Sequence, residues 1–193
     1  MVFQIPENLA PECYPMAWLL GSWRGAGILE YEGIEASGYL HELSIENDEE
    51  SPYMRVTSSI WLAAEPAGAV DKEVPGERMY QQLSKERLWA QTTGFLRATP
   101  GAGQHDGATL LEAMSSTPAG HAMTWAGLIK GPQLNLQADA IAATPTASTV
   151  GGARIMAGLV ESDLFYAYDM AAFGHEMSTY MAGRLSRAGV LDG

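Results

Sequence analysis

The residues Leu19–Gly27 read LLGSWRGAG, and this stretch decides how the fold is interpreted. Its glycines alternate with larger residues in the motif Gly21-x-Trp23-x-Gly25-x-Gly27. A glycine loop that binds phosphate would open a helix, but here the alternation continues into the next four residues, so the glycines lie inside a β-strand. Glycine in a strand allows sharp coiling and a close approach of neighbouring backbone. The motif therefore predicts first a strand in which Trp23 closes the floor of a barrel, and second a contact with a ligand.

The same alternation of apolar and polar residues recurs from about Ser22 to Arg187. It predicts strands over 22–31, 36–47, 53–64, 78–85, 88–98, 109–116, 121–130, 133–143, 153–161, 163–172 and 178–187. Most connections are short, whereas 65–76 and 99–108 are longer loops rich in proline and glycine. Strands in hairpin order without βαβ spacing indicate a barrel or a sandwich. A barrel of about ten strands has an interior wide enough for a small molecule.

The length of 193 residues fits one domain, because all-β barrels of this size commonly fold as one unit. We therefore expect a single domain over 1–193, with the barrel over about 18–187. Just before the first strand, the residues Pro15–Leu20 (PMAWLL) predict a short helical turn. This turn would plug one end of the barrel and bury Trp18 and Leu20.

The composition argues against several classes of partner. The formal net charge is −12 and the pI is about 4.6, so the chain repels nucleic-acid phosphates and anionic membrane surfaces. No run approaches transmembrane length, and the first residues lack the basic start and apolar run of a secretory signal. Cys13 is the single cysteine, which excludes an internal disulfide and suits a reducing compartment. We expect a cytoplasmic protein with no nucleic-acid or membrane partner.

Several blocks of the sequence resemble the nitrobindin family, whose members are also described as fatty-acid-binding-protein-like barrels. The blocks are Trp18–Gly27, Thr93–Arg97, 144–147, 158–164 and 169–174. The later blocks follow one another in the same order as in the family. The resemblance spans roughly Pro15 to Arg187, with the two long loops as local departures.

The resemblance implies a ten-stranded antiparallel up-and-down barrel of the lipocalin or calycin type, which in this family often forms a homodimer. It also implies ferric haem b held by one axial histidine near the C-terminus, in a His-Leu-x-Ala-x-Leu-x-Arg pattern. In this chain the matching stretch is Tyr180–Arg187, YMAGRLSR. Tyr180 therefore stands at the position of the axial histidine.

A tyrosine at position 180 weakens the case for bound iron. A neutral imidazole ligates iron readily at pH 7, whereas a phenol with a pKa of about 10 must first lose a proton. Arg184, four residues further on, would share a strand face with Tyr180 and could favour a phenolate or instead form a surface ion pair. The sequence favours Tyr180 as a residue that lines the pocket, together with Tyr168, Met170 and Arg184, over an iron ligand.

No other residues form a recognisable metal site or catalytic group. Of the four histidines only His41 is expected to face inward, where a core residue with satisfied hydrogen bonds is the favoured interpretation. No pair has the spacing of metal ligands, and no triad or carboxylate pair can be assigned. We therefore predict neither a metal site nor a catalytic residue.

Three functions remain open at this stage. The first is a binding module for a small hydrophobic or planar molecule, such as a fatty acid or lipid, in which haem b is disfavoured as a cofactor. The second is an enzyme that isomerises peroxynitrite on ferric haem, as the resemblance implies. The third is a scaffold whose interior is filled by its own aromatic side chains. Whether the chain is a monomer or a homodimer also stays open.

Overall fold

The computed structural model of the chain describes residues 8–48 and 50–188, which form strands joined mainly by hairpin turns. The strands are β1 (Gly21–Tyr31), β2 (Ile34–Glu46), β3 (Met54–Pro66), β4 (Lys85–Ala98), β5 (Gln104–His105), β6 (Ala108–Ser116), β7 (His121–Lys130), β8 (Gln133–Ala143), β9 (Val150–Val160), β10 (Asp163–Ala172) and β11 (Ser178–Arg187). The two-residue strand β5 lies within the predicted loop 99–108 and pairs only with β6.

The other ten strands close into an antiparallel up-and-down barrel, as predicted. Their order is β4-β3-β2-β1-β11-β10-β9-β8-β7-β6, and β4 pairs with β6 to complete the ring. The first and last strands pair from Trp23 opposite Arg187 to Leu29 opposite Met181. Closure gives every long strand two neighbours, which removes the exposed edges of an open sheet.

A 3-10 helix over Pro11–Leu19 plugs one end of the barrel, as predicted. Its apolar side chains join the main core cluster, in which Met16, Leu19 and Trp23 are almost completely buried. The indole Nε1 of Trp23 donates to the carbonyl of Leu19 at 2.8 Å, which ties the plug to the barrel floor. Of the two residues predicted to be buried here, Leu20 is buried and Trp18 is half-buried.

The glycines of β1 allow β11 to approach closely. A Cβ atom on Gly25 would overlap the backbone carbonyl of Arg184, and one on Gly27 would overlap the carbonyl of Ala182 and the hydroxyl of Tyr39. Any side chain at these two positions would push the strands apart, so the motif acts mainly in closing the wall.

The strand predicted over 78–85 is wrong, because Gly76–Gln82 forms a helix, α1. Its residues include Glu77, Arg78 and Met79, which are good helix formers, and it follows Pro75, which suits a helix start. Met79 packs against the outer face of the barrel, where its apolar surface is covered. The alternation seen in the sequence here thus reflects one buried helical side and not a pleated strand.

The end of the barrel opposite the plug is less tightly closed. The ladder between β4 and β6 runs over Thr93–Ala98, and the ladder between β8 and β9 runs over Gln133–Gln137. Neither set of paired residues continues to this end of the barrel. The first part of β4 is therefore not paired with β6, and the last part of β8 is not paired with β9.

Among the described residues, no helix is long and apolar enough to span a membrane.

Candidate functional site

Aromatic side chains gather at the loosened end of the barrel, which we call the mouth. We define it by Tyr31, Trp89, Tyr168 and Tyr180. The rings of Tyr168 and Tyr180 lie 6.2 Å apart, and those of Tyr31 and Tyr180 lie 5.9 Å apart, both edge to face. Trp89, Tyr168 and Tyr180 are half-buried, which distinguishes them from the sealed core at the plug. Trp125 continues this wall inward, with its ring 6.4 Å from that of Tyr168.

Tyr180 reaches the mouth through a β-bulge. On β10 the consecutive residues Tyr168 and Asp169 lie opposite Met181 and Thr179 of β11, so that Tyr180 is an extra residue without a direct partner. In a regular strand Tyr180 and Met181 would point to opposite faces. The bulge turns Tyr180 inward, so both residues belong to the same interior cluster.

A second bulge brings Trp89 to the same place. Consecutive residues of β3 lie opposite Ala90 and then Leu88 of β4, which leaves Trp89 as the extra residue. The indole Nε1 of Trp89 donates a hydrogen bond to the hydroxyl of Tyr180 at 2.6 Å. The two inserted residues therefore meet each other across the mouth.

Tyr168 and Tyr180 are neutral phenols at physiological pH, because the pKa of each is raised. Burial raises the pKa of Tyr180, and the hydrogen bond from Trp89 offsets part of that rise. Burial, with a smaller contribution from Tyr180, raises the pKa of Tyr168 to about 12. Both groups keep their protons and can therefore donate a hydrogen bond to a ligand.

Arg184 lies on the other side of the wall, so the prediction that it shares a face with Tyr180 is wrong. Its Nε donates to Asp163 at 2.5 Å, and its guanidinium also bonds the backbone carbonyl of Glu73. This buried ion pair holds the segment before α1 against the barrel. The bulge explains the difference, because it moves Tyr180 out of step with the residues that follow it.

The other predicted pocket residues lie where the strand pattern places them. Leu164, Tyr166, Tyr168 and Met170 alternate along β10 and share its inner face. Met170 is buried against Tyr31 near the mouth, with 9% of its surface exposed. Tyr168 is thus the β10 residue that presents itself to the mouth.

A buried polar network lies beneath the mouth. His41 faces inward, with Nδ1 2.8 Å from the hydroxyl of Tyr166 and Nε2 2.8 Å from Oγ of Ser58. The hydroxyl of Tyr166 lies 2.6 Å from that of Tyr39. Gly27 matters here as well, because the absence of a side chain leaves room for the ring of Tyr39.

His41 is the core histidine with satisfied hydrogen bonds that we expected. Burial lowers the pKa of His41 to about 3, so the imidazole is neutral at pH 7. His41 lies beside Ser58, in the position that a general base would take. An imidazole with so low a pKa is too weak a base to activate a hydroxyl efficiently. The network therefore serves to position side chains.

Two other histidines, His121 and His175, make their contacts away from this network. His121 is buried at the start of β7, and its Nε2 lies 2.8 Å from the carbonyl of Ser148. His175 lies on the rim, paired with Glu32 at 2.9 Å, with its ring 6.1 Å from that of Tyr31. Within the described part of the chain, no cluster of three or more histidine, cysteine or acidic residues could hold a metal ion.

Two concavities lie outside the barrel. One, of about 140 Å³, separates the segment before α1 from the outer wall and is lined by Val70, Met79 and Phe165 among others. The other, of about 530 Å³, is a groove beside the plug lined by prolines, including Pro11 and Pro100. Neither is lined by the mouth residues, and we place the candidate site at the mouth because half-exposed rings and hydroxyls converge there.

Reasoning from the sequence missed Trp89 and Tyr31. Trp89 lies at the start of a predicted strand, but a bulge that turns it inward has no signal in a single sequence. The hydroxyl of Tyr31 is bound between backbone groups of β10, accepting from the amide of Ala172 at 2.9 Å. An aromatic residue at a strand end, beside a predicted pocket, was the available signal.

Comparison with known proteins agrees with this architecture. The family model described as "THAP4-like, heme-binding beta-barrel domain" matches residues 12–187. A protein of Beutenbergia cavernae named "Ferric nitrobindin-like protein" is 36% identical, with 97% of this chain and 99% of the relative covered. A protein of a Nocardioides species named "Peroxynitrite isomerase" is 35% identical over the same shares of the two chains. The crystal structure of Rv2717c from M. tuberculosis has the same fold, with a TM-score of 0.70 at 23% identity over 93% of this chain and 99% of that one.

Proposed function

Because the chain belongs to the family of THAP4-like, heme-binding β-barrel domains, we propose that it binds one small apolar or planar molecule in the mouth, without a protein ligand to iron at position 180. The observation that carries this proposal is the hydrogen bond from Trp89 to Tyr180. It supports the proposal because the Tyr180 hydroxyl already accepts a hydrogen bond, at the position for which the resemblance implies an axial imidazole.

The residues at this position do not fit the axial ligation of haem. A tyrosine binds ferric iron as a phenolate, which needs a lowered pKa and usually a nearby cation. Burial instead raises the pKa of Tyr180, and Arg184 is bound to Asp163 on the opposite face of the wall. The ring nitrogens of His41 are both engaged below the mouth.

Peroxynitrite isomerisation is the second candidate, since several relatives carry that name, including the one from Nocardioides. That activity depends on ferric haem, so the absence of a suitable ligand at position 180 weighs against it. A solid scaffold is the third candidate. The rings of Trp89, Tyr168 and Tyr180 are half-exposed, which favours a bound ligand over an interior filled by the protein's own side chains.

Hemin titration tests the proposal. We expect the wild type and Tyr180→Phe to give the same broad absorption, because neither supplies a ligand. Tyr180→His combined with Trp89→Phe should introduce an imidazole whose lone pair no indole N–H occupies, and it should produce a sharp Soret band at one hemin per chain. A sharp, stoichiometric band in the wild type that is lost in Tyr180→Phe would overturn the proposal and favour the enzyme.

Native mass spectrometry tests whether the mouth holds a guest at all. Protein purified gently from its own source should carry a small molecule that is released on denaturation. A clean mass of the chain alone, combined with no binding of any planar probe, would favour the scaffold.

A further inference from the structure

The mouth offers two hydroxyl protons that the fold does not use. The oxygen of Tyr180 accepts from Trp89, but its own proton has no acceptor among the described residues. The hydroxyl of Tyr168 has no hydrogen-bond partner in the described part of the chain, and its ring is half-buried beside that of Tyr180. By contrast, the hydroxyl of Tyr31 donates to the carbonyl of Met170 at 3.1 Å. Unused donors in a half-buried site are positions for a ligand's acceptor.

The chemistry of these groups favours a ligand that carries a hydrogen-bond acceptor. Both phenols stay protonated, because burial raises the pKa of each. A phenol whose oxygen already accepts one hydrogen bond interacts best through its remaining O–H. A carbonyl oxygen has two lone pairs and can accept from both hydroxyls at once.

The charges around the mouth argue against an anionic ligand inside it. The four side chains that define the mouth are uncharged, and the imidazole of His41 below is neutral because burial lowers its pKa to about 3. On the rim, the guanidinium of Arg87 lies 4.9 Å from the ring of Trp89, but Arg87 is exposed. A carboxylate carried past the rim would lose its water without gaining a cation.

The walls select for a flat ligand. The rings of Tyr168, Tyr180 and Tyr31 follow one another edge to face at 5.9 and 6.2 Å, and the ring of Trp125 lies tilted against that of Tyr168 at 6.4 Å. Aromatic side chains arranged in this way pack well against another planar ring. Resting on the proposed function, we infer that the mouth takes an uncharged, planar aromatic ligand through a carbonyl oxygen, which the hydroxyls of Tyr168 and Tyr180 hold.

Three naphthalene probes separate the features of this ligand. 2-Acetylnaphthalene carries the neutral carbonyl, naphthalene lacks it, and 2-naphthoate carries a charge. We expect 2-acetylnaphthalene to bind about tenfold more tightly than either of the others, measured by equilibrium dialysis. Tyr168→Phe and Tyr180→Phe should each weaken its binding about fivefold and leave naphthalene binding unchanged, which also shows that the variants are folded. Tyr14→Phe, an exposed tyrosine on the plug, is the matched control and should change nothing.

Other outcomes distinguish this inference from the proposed function. If naphthalene binds but the acetyl group adds nothing, or the Phe variants bind 2-acetylnaphthalene as the wild type does, the inference fails and the binding pocket stands. If 2-naphthoate binds as tightly as 2-acetylnaphthalene and loses affinity in Arg87→Gln, the site is an anion site at the rim and the inference fails. If none of the three probes binds, the inference and the proposed pocket fail together.

Discussion

Acidification should destabilise the protein through His41. In the folded chain burial lowers the pKa of His41 to about 3, whereas the unfolded chain has an ordinary value of about 6.5. Between these two values the unfolded state binds the extra proton, so the free energy of unfolding falls as the pH falls. From pH 8 to pH 5 the loss from this one residue is about 2 kcal/mol.

Urea unfolding at pH 8 and at pH 5, followed by tryptophan fluorescence, measures this loss as a shift in the midpoint at constant m value. The matched variant is His41→Gln, which keeps polar groups between Tyr166 and Ser58 but does not titrate. It should lose about 2 kcal/mol less than the wild type over the same interval. The measurements stop at pH 5 because carboxylates are largely ionised above that pH and therefore contribute little to the change in the free energy of unfolding.

An equal loss in the wild type and in His41→Gln would refute the reasoning, because the network would then not hold His41 neutral. NMR provides an independent measurement on the wild type alone. The ring protons of His41 should keep their neutral shifts down to about pH 4. A midpoint near 6.5 for that ring would also contradict the structure.

Two further changes probe the wall. Gly27→Ala should cost about 2 to 4 kcal/mol of unfolding free energy in urea, because the new methyl group overlaps the backbone of β11 and displaces the ring of Tyr39 from its hydrogen bond. Gly68→Ala, which meets no atom within 4 Å, should stay within about 0.5 kcal/mol, and equal effects of the two would contradict the close approach. Asp163→Ala should cost about 2 kcal/mol by removing the carboxylate that pairs with the half-buried guanidinium of Arg184 and accepts from the amide of Gly76, and it should speed amide exchange at the start of α1. Unchanged exchange there would show that Asp163 does not hold α1 against the barrel.

The sequence predicted most of the barrel because its signals are periodic. Alternation located ten long strands and the inner face of β10, and the apolar turn before Trp23 located the plug. It failed at Gly76–Gln82, where one buried side of a short helix mimics alternation. It failed again at Arg184, because a strand pattern assumes that every residue has a partner across the ladder. A bulge inserts one residue that has no partner on the neighbouring strand, so the side chain of that residue turns to the other face of the sheet. The composition of the strand does not reveal this change.

The two bulges also explain why the residue at position 180 and Trp89 have to be considered together. An indole N–H can only donate a hydrogen bond, so a half-buried Trp89 needs an acceptor opposite. A phenol meets that need with its oxygen and still has an O–H to offer, whereas an imidazole that accepts from the indole gives up the lone pair with which it would bind iron. Tyr180 thus satisfies Trp89 and keeps one O–H, which in the proposed function is the donor to a ligand.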